Sequence, residues 1–359
     1  MAPKKIVLIS DVHIGLRRHK SEWFKKEHEK PLCDFLGWIA TRGDKVKDLV
    51  ILGDFFDNWV CPAGVIPPSI EDIIGAKPNH PIWTVLHLCL RRLSNVFYVK
   101  GNHDMATTQE DLDLLRDKTS GKAPRLIDCY LDGLLVGEHG HAEAMFNAPD
   151  LAHDPVFGIP LGYFVTRVLA VTEKSADCPE AIGKYFLSAH ESKQKGRTLS
   201  ETVLDAVMDF VGLKDKDMVE MGAGVPDPTL GEVKAKYRDL YEYWKEKKGE
   251  GKAVDALRAE AFGLAGYVSM LQKRFKIAVL GHTHEAKLKS YPQQVKHDDS
   301  IKVTDIYANA GKWCTGKPTY VEVTNHTGGK WDVKLMEMGY TNKNKTTVQP
   351  KVLDETAIG

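Results

Sequence analysis

Five short apolar runs in the chain end in the same way. Ile6-Val7-Leu8-Ile9-Ser10 leads into Asp11-Val12-His13, and Leu49-Val50-Ile51-Leu52 leads into Gly53-Asp54-Phe55-Phe56-Asp57. Val96-Phe97-Tyr98-Val99-Lys100 runs into Gly101-Asn102-His103-Asp104, and Leu134-Leu135-Val136 into Gly137-Glu138-His139-Gly140-His141. Ile277-Ala278-Val279-Leu280 runs into Gly281-His282-Thr283-His284. Unbroken apolar runs closed by a glycine or a polar turn predict buried strands. Open α/β sheets carry their chemistry where such strands end. The predicted class is therefore α/β, with the functional residues gathered at one sheet edge.

The intervening pattern predicts the remaining elements. Trp23, Phe24, Leu32, Phe35, Leu36 and Ile39 predict a helix over about 21–39 that Pro31 breaks or restarts. Val85, Leu86, Leu88, Cys89 and Leu93 predict another over 82–93. The proline-rich stretch from Cys61 to Pro78 reads as a loop beside the functional edge. Asp132-Gly133, set between apolar runs, predicts a hairpin whose return strand delivers His139. Residues 142–276 lack the strand-then-polar pattern and show helical spacing near 160–174, 180–195, 199–212, 230–248 and 252–274. Strands return at 301–308 and 319–323, and Gly328-Gly329 turns the latter into 331–336. From about Tyr340 the tail is polar and expected to be loosely ordered. This divides the chain into a core of 1–141 and 277–340, a helical cap inserted at 142–276 and a tail of 341–359.

Composition narrows the function. With 359 residues, 43% hydrophobic, the chain can bury a sizeable core. A formal net charge of +0 argues against duplex nucleic acid as the dominant partner. A nuclease would want a basic groove interleaved with aromatics, and the sequence offers none. No apolar run reaches the roughly 20 residues a membrane span needs, and the N-terminus enters a strand without the apolar core of a signal peptide. Six scattered cysteines without a Cys-x-x-Cys pair fit reduced thiols, so a cytoplasmic location is expected.

The polar residues at the five run ends suit a pair of divalent cations. Asp11, His13 and His284 can serve one; Asn102, His139 and His282 can serve the other; Asp54 can bridge them. His-x-His on an extended segment would put both rings on one face. The donor set admits Mn, Fe, Zn, Co or Ni, with Mn favoured. His103, beside a ligand but not needed as one, is the candidate to protonate a leaving group or hold a phosphate oxygen. Arg17, Arg18 and Arg167 are further candidates to meet phosphate; a solvated loop for the first two and a structural salt bridge for the third are the plainer readings.

In this order, Asp11-x-His13, Gly53-Asp54-x-x-Asp57, Gly101-Asn102-His103-Asp104, His139-Gly140 and Gly281-His282-x-His284 resemble the five motifs of the calcineurin-like metallophosphoesterases. The resemblance implies a central β-sandwich flanked by helices and a binuclear metal centre with the ligands named above. It favours His139 over its neighbour His141, because the motif is His followed by Gly. It also gives Asp57 the task of orienting His103. Protein phosphatases of this superfamily continue the second motif with Arg-Gly and follow Asn-His with Glu. Asn58-Trp59 and Asp104 stand here instead. Lipid-precursor pyrophosphatases share the Gly-His-Thr-His ending and a helical insertion but usually carry Arg where His103 sits. The expected activity is hydrolysis by a metal-activated hydroxide of a small-molecule or nucleotide phosphodiester or pyrophosphate. A phosphomonoesterase or nucleotidase is the alternative, and a non-enzymatic scaffold the alternative of another class.

Overall fold

Every side chain in Ile6-Val7-Leu8-Ile9 is buried, but neighbours enter different cores. Ile6 and Leu8 join a cluster with Val50, Leu52, Val279 and Val321. Val7 and Ile9 join one with Leu49, Ile51, Phe35 and Leu86. A strand covered on both faces has no reason to alternate apolar with polar, which is why the run is continuous.

The computed structural model describes residues 4–173, 197–222, 224–262, 275–295, 298–341 and 347–358. The chain opens with β1 (Lys5–Ile9), α1 (Lys26–Ala40), β2 (Val46–Leu52), α2 (Ile70–Gly75), α3 (His80–Arg92), β3 (Asn95–Val99), α4 (Gln109–Asp113) and β4 (Arg125–Leu126). The hairpin of β5 (Tyr130–Asp132) and β6 (Leu135–Gly137) follows, turned by Gly133 at φ 56°. Next come α5 (Leu161–Leu169), α6 (Leu199–Val211), α7 (Leu230–Lys236), α8 (Leu240–Lys248) and α9 (Glu250–Phe262). The chain returns through β7 (Ile277–Leu280), β8 (Lys287–Val295), β9 (Asp298–Asn309), β10 (Thr319–Asn325), β11 (Trp331–Glu337) and β12 (Lys351–Ile358).

These strands form two mixed sheets, ordered β12-β11-β10-β1-β2-β3-β4 and β5-β6-β7-β9-β8. Apolar residues of both sheets share one cluster between them, while α1 and α3 cover the outer face of the first sheet. The fold is the expected α/β sandwich flanked by helices. β1, β2 and β3 are parallel, with Ile9 opposite Ile51 and Leu52 opposite Val99. This register brings Asp11, Asp54 and Asn102 to one edge. β6 and β7, also parallel, bring His139 and His282 to theirs. Helices α5 to α9 pack around a separate apolar cluster that runs from Met145 to Leu257 and also takes in Trp59 and Ala63. Among the described residues no helix is long and apolar enough to cross a membrane.

Several local expectations are corrected. Pro31 lies inside α1, which begins only at Lys26; in the second turn a proline forfeits a single early backbone bond. The proline-rich stretch holds α2, started by Ser69 accepting from the Asp72 N–H. β8 was not foreseen, and residues 351–358 of the tail are not loose: β12 pairs along β11 from Trp331–Ile358 to Glu337–Lys351. The helix expected over 180–195 lies outside the described residues, as does the end of the one expected over 252–274.

Candidate metal centre

The polar residues that follow the strands adopt an uncommon backbone. Asp11, His13, Asp54, His282 and His284 all have positive φ, between 50° and 72°, as does Arg17. Side chains other than glycine avoid this left-handed region, and when they occupy it the surrounding structure has to hold them there. His282-Thr283-His284 is therefore not an extended segment, which corrects the expected reason for its two rings meeting one site. Backbone bonds knit the loops: the amides of Val12 and His13 donate to the Asp54 carbonyl at 2.9 and 2.8 Å, and Trp313 N–H donates to the Asp11 carbonyl at 2.9 Å. Asn309 Nδ2 donates to the Gly281 carbonyl at 2.6 Å and braces the histidine loop. The fit leaves no slack: a Cβ on Gly101 would meet Asp54 Oδ1 at 2.0 Å.

Two groups of donors result. In the first, His13 Nε2 and His284 Nε2 are 3.0 Å apart, and Asp11 Oδ1 is 3.2 Å from the latter. In the second, Asn102 Oδ1 is 3.1 Å from both His139 Nε2 and His282 Nδ1. Asp54 Oδ2 faces both, 3.1 Å from His139 Nε2 and 3.8 Å from His13 Nε2. Nitrogen and oxygen donors about 2.0–2.2 Å from one cation would be spaced like this, so the residues present fit divalent metal. The other ring nitrogens set the tautomers. His139 Nδ1 donates to the Leu52 carbonyl at 2.8 Å, and His13 Nδ1 sits 2.9 Å from Asp57 Oδ2. Both Nε2 lone pairs are thereby turned inward.

The electrostatics agree. Burial raises the Asp11 and Asp54 carboxyls, but the imidazoles of His284 and His139 outweigh it and hold both below the ordinary carboxylate value. Burial lowers His139, yet Asp54 and Asp11 lift it to about 9. The buried carboxylates thus create a field that favours positive charge.

His103 stands beside the donors, its Nδ1 3.0 Å from Asp57 Oδ1. Asp57 consequently bonds both His103 and His13, and its Oδ1 also accepts the N–H groups of Trp59 and Val60 at 2.9 Å. The sequence reading named only the first partner. It gave no place at the site to two tryptophans. Trp59 lies 4.7 Å ring to ring from His103 and Trp23 lies 5.1 Å, while Trp59 also meets Tyr163 of α5 edge-on. Trp59 adjoins its motif and could have been suspected; Trp23 arrives from a distant loop without a signal. Cys314 was missed as well: its Sγ and a ring nitrogen each of His13 and His284 lie within 4.8 Å of one another.

Other candidates sit elsewhere. His141 lies 5.4 Å ring to ring from His139 but takes part in none of the donor spacings above. Arg17 is turned to Glu29 at 2.6 Å and the Pro78 carbonyl at 2.7 Å. Arg18 is exposed on a cavity of about 750 Å³. Arg167 is fully buried and makes no salt bridge among the described residues; it donates to the carbonyls of Cys61, Val65 and Glu220 at 2.8, 2.5 and 2.9 Å. Asp104 accepts from Tyr98, Gly101 and Phe55, and burial together with the Asp54 charge pushes its carboxyl up to about 6.

The solved structures that align with the chain include two of low similarity. GAP50, the anchor in the inner membrane complex of Plasmodium, shares 10% identity at a TM-score of 0.36, covering 99% of this chain and 90% of its own. Phosphopantetheinyl hydrolase (PptH) from Mycobacterium tuberculosis shares 12% at 0.33, covering 87% and 90%. No curated protein matches the sequence. The family model for calcineurin-like phosphoesterases matches residues 4–170, the span that carries Asp11, Asp54, Asn102 and His139. Over these residues the chain is similar to the calcineurin-like phosphoesterases, the family that its five motifs resemble.

Proposed function

We propose that the chain is a binuclear metal-dependent phosphoesterase acting on a small-molecule or nucleotide phosphodiester or pyrophosphate. The observation that carries this reading is the place of Asp54 Oδ2, which faces one donor group through His13 and the other through His139. Asp11, His13 and His284 would hold one cation and Asn102, His139 and His282 the other, with Asp54 shared and Mn(II) favoured. When bound, the cations would activate water and offset charge on the phosphoryl oxygens. The protein's own share falls to His103 and Asp57. Asp57 fixes Nδ1 of His103, which leaves Nε2 to carry a proton to the leaving oxygen. Trp23 and Trp59 hold that ring and keep water from it.

Substrate choice falls to the inserted helices as a cap. A phosphate is common to every phosphoester, so discrimination needs walls against the rest of the molecule. The contact from α5 through Tyr163 and Trp59 to His103 supports that assignment.

The test is a Mn(II)-supplemented panel of mono-, di- and pyrophosphate substrates on wild type and Asp54→Asn. Wild type should prefer diesters or pyrophosphates; turnover of monoesters alone would replace the reading with a phosphomonoesterase. Asp54→Asn should lose bound metal and turnover together, and a variant that keeps two metals and near-native turnover would refute the shared ligand.

A further inference from the structure

An asparagine ligand must present oxygen to a cation. Its amide can rotate by half a turn, and the NH₂ face would then point at the metal. Rotation is prevented by an acceptor on the far side that claims Nδ2. Asn102 has one: its Nδ2 donates to Asn147 Oδ1 at 3.1 Å, while its Oδ1 faces His139 and His282.

Asn147 is itself held in place. It lies between Phe146 and Ala148, both buried in the cluster of the inserted helices. Its side chain packs against Gly162 in the first turn of α5, where a Cβ would come within 2.4 Å of Asn147 Oδ1 and 2.7 Å of the Phe146 carbonyl. Gly162 N–H donates to that same carbonyl at 2.7 Å. The start of α5 therefore fixes Asn147, and Asn147 faces Asn102.

We propose that Asn147 is a positioning residue for the metal held by Asn102, His139 and His282. It locks the Asn102 amide with its oxygen inward and ties occupancy of that position to the seating of α5. This rests on the two-metal reading above. Among the described residues no hydrogen bond joins Asn147 to Asp11, His13 or His284, so the other cation should not sense it.

The experiment titrates metal-free protein with Mn(II) alone, following stoichiometry and the spin-coupled dinuclear signal by electron paramagnetic resonance. Asn147→Ala should weaken the second Mn(II) about 10-fold or more, the scale of outer-shell effects on metal sites, and leave the first unchanged. Asn147→Asp, which still accepts from Nδ2, should bind as wild type does. In an Asn102→Asp background the ligand has no NH₂ face to exclude, so adding Asn147→Ala should then change second-site affinity less than about 2-fold. Equal loss in Asn147→Asp and Asn147→Ala, unchanged binding in Asn147→Ala, or an undiminished effect in the Asn102→Asp background would each overturn the proposal. If Asn147→Ala fails to fold, Asn147→Ser replaces it under the same criteria. Wild type that binds a single Mn(II) would instead fail the two-metal reading.

Discussion

Replacing Arg167 separates a structural cation from a phosphate contact. Its guanidinium is buried, and its three best-formed bonds reach the Cys61, Val65 and Glu220 carbonyls. Nη2 has longer contacts to Pro62 and Ala63 at 3.1 and 3.3 Å, and Nη1 meets the Tyr163 hydroxyl. Arg167→Met keeps most of the stem and removes every donor. The Cys61 and Glu220 carbonyls lose their donor and the Val65 carbonyl keeps only the Cys61 thiol at 3.3 Å, and each loss should cost about 1–3 kcal/mol. Water entering from the loop side recovers part of this, so the net loss should be about 4 kcal/mol. At roughly 2–4 °C per kcal/mol for a folding unit of 150–250 residues, the melting temperature should fall by roughly 8–16 °C. Arg167→Lys should fall between the two, since an ammonium cannot span the same carbonyls. The assays are thermal and urea unfolding of metal-loaded protein, with KM for a small activated phosphoester measured well below the transition. The expected result is a large loss of stability with KM changed less than about 3-fold. A variant as stable as wild type but with KM raised more than about 10-fold would make Arg167 a phosphate ligand.

Two further outcomes follow, one at the candidate metal centre and one in the inserted segment. His103→Ala should keep its metal and lose roughly 100-fold or more in turnover of esters with poor leaving groups, with a milder loss for p-nitrophenolate, which departs without a proton; equal losses on both would make His103 a binding residue. His153 bonds Asp150 at 2.7 Å and lies 3.3 Å from Asp239, and the bond to Asp150 raises its imidazole above the ordinary value despite partial burial. A raised folded value means stability fully present below the unfolded value of about 6.5 and lost as pH rises through the folded one. The stability difference between wild type and His153→Gln should therefore shrink as pH rises from about 6.5, and a difference independent of pH would refute the ion pair.

What could be read from the sequence and what could not divide along a physical line. Strands β1, β2, β3, β6 and β7 were legible because both their faces are buried, so the apolar run marks the strand and its end marks the edge. The residues brought together there lie within a few positions of those ends. β12 carried no such mark: five of its eight residues, beginning with Lys351, are exposed in succession, and its form comes from backbone pairing with β11. The left-handed backbone at Asp11, His13, Asp54, His282 and His284 was equally silent: Asp and His enter this region more often than other side chains, but still too rarely for residue type alone to mark it. Arg167 was legible in part. Its plainer reading was structural, and it is held structurally, but by the carbonyls of the 61–65 loop and Glu220 rather than by a carboxylate, a partner that sequence does not reveal.

That remote contact bears on the chemistry. Arg167 holds the 61–65 loop and touches Tyr163. Tyr163 meets Trp59, and Trp59 lies against His103. The inserted helices therefore reach His103 through packed rings, and they reach Asn102 through Asn147. Packed side chains with few voids transmit displacement rather than absorb it. On the proposed function, an insertion attached at both places would be more than a lid over a finished centre. Seating α5 would set the orientation of the Asn102 amide and the packing of His103 together, so a substrate that draws the insertion down would complete the site by the same movement.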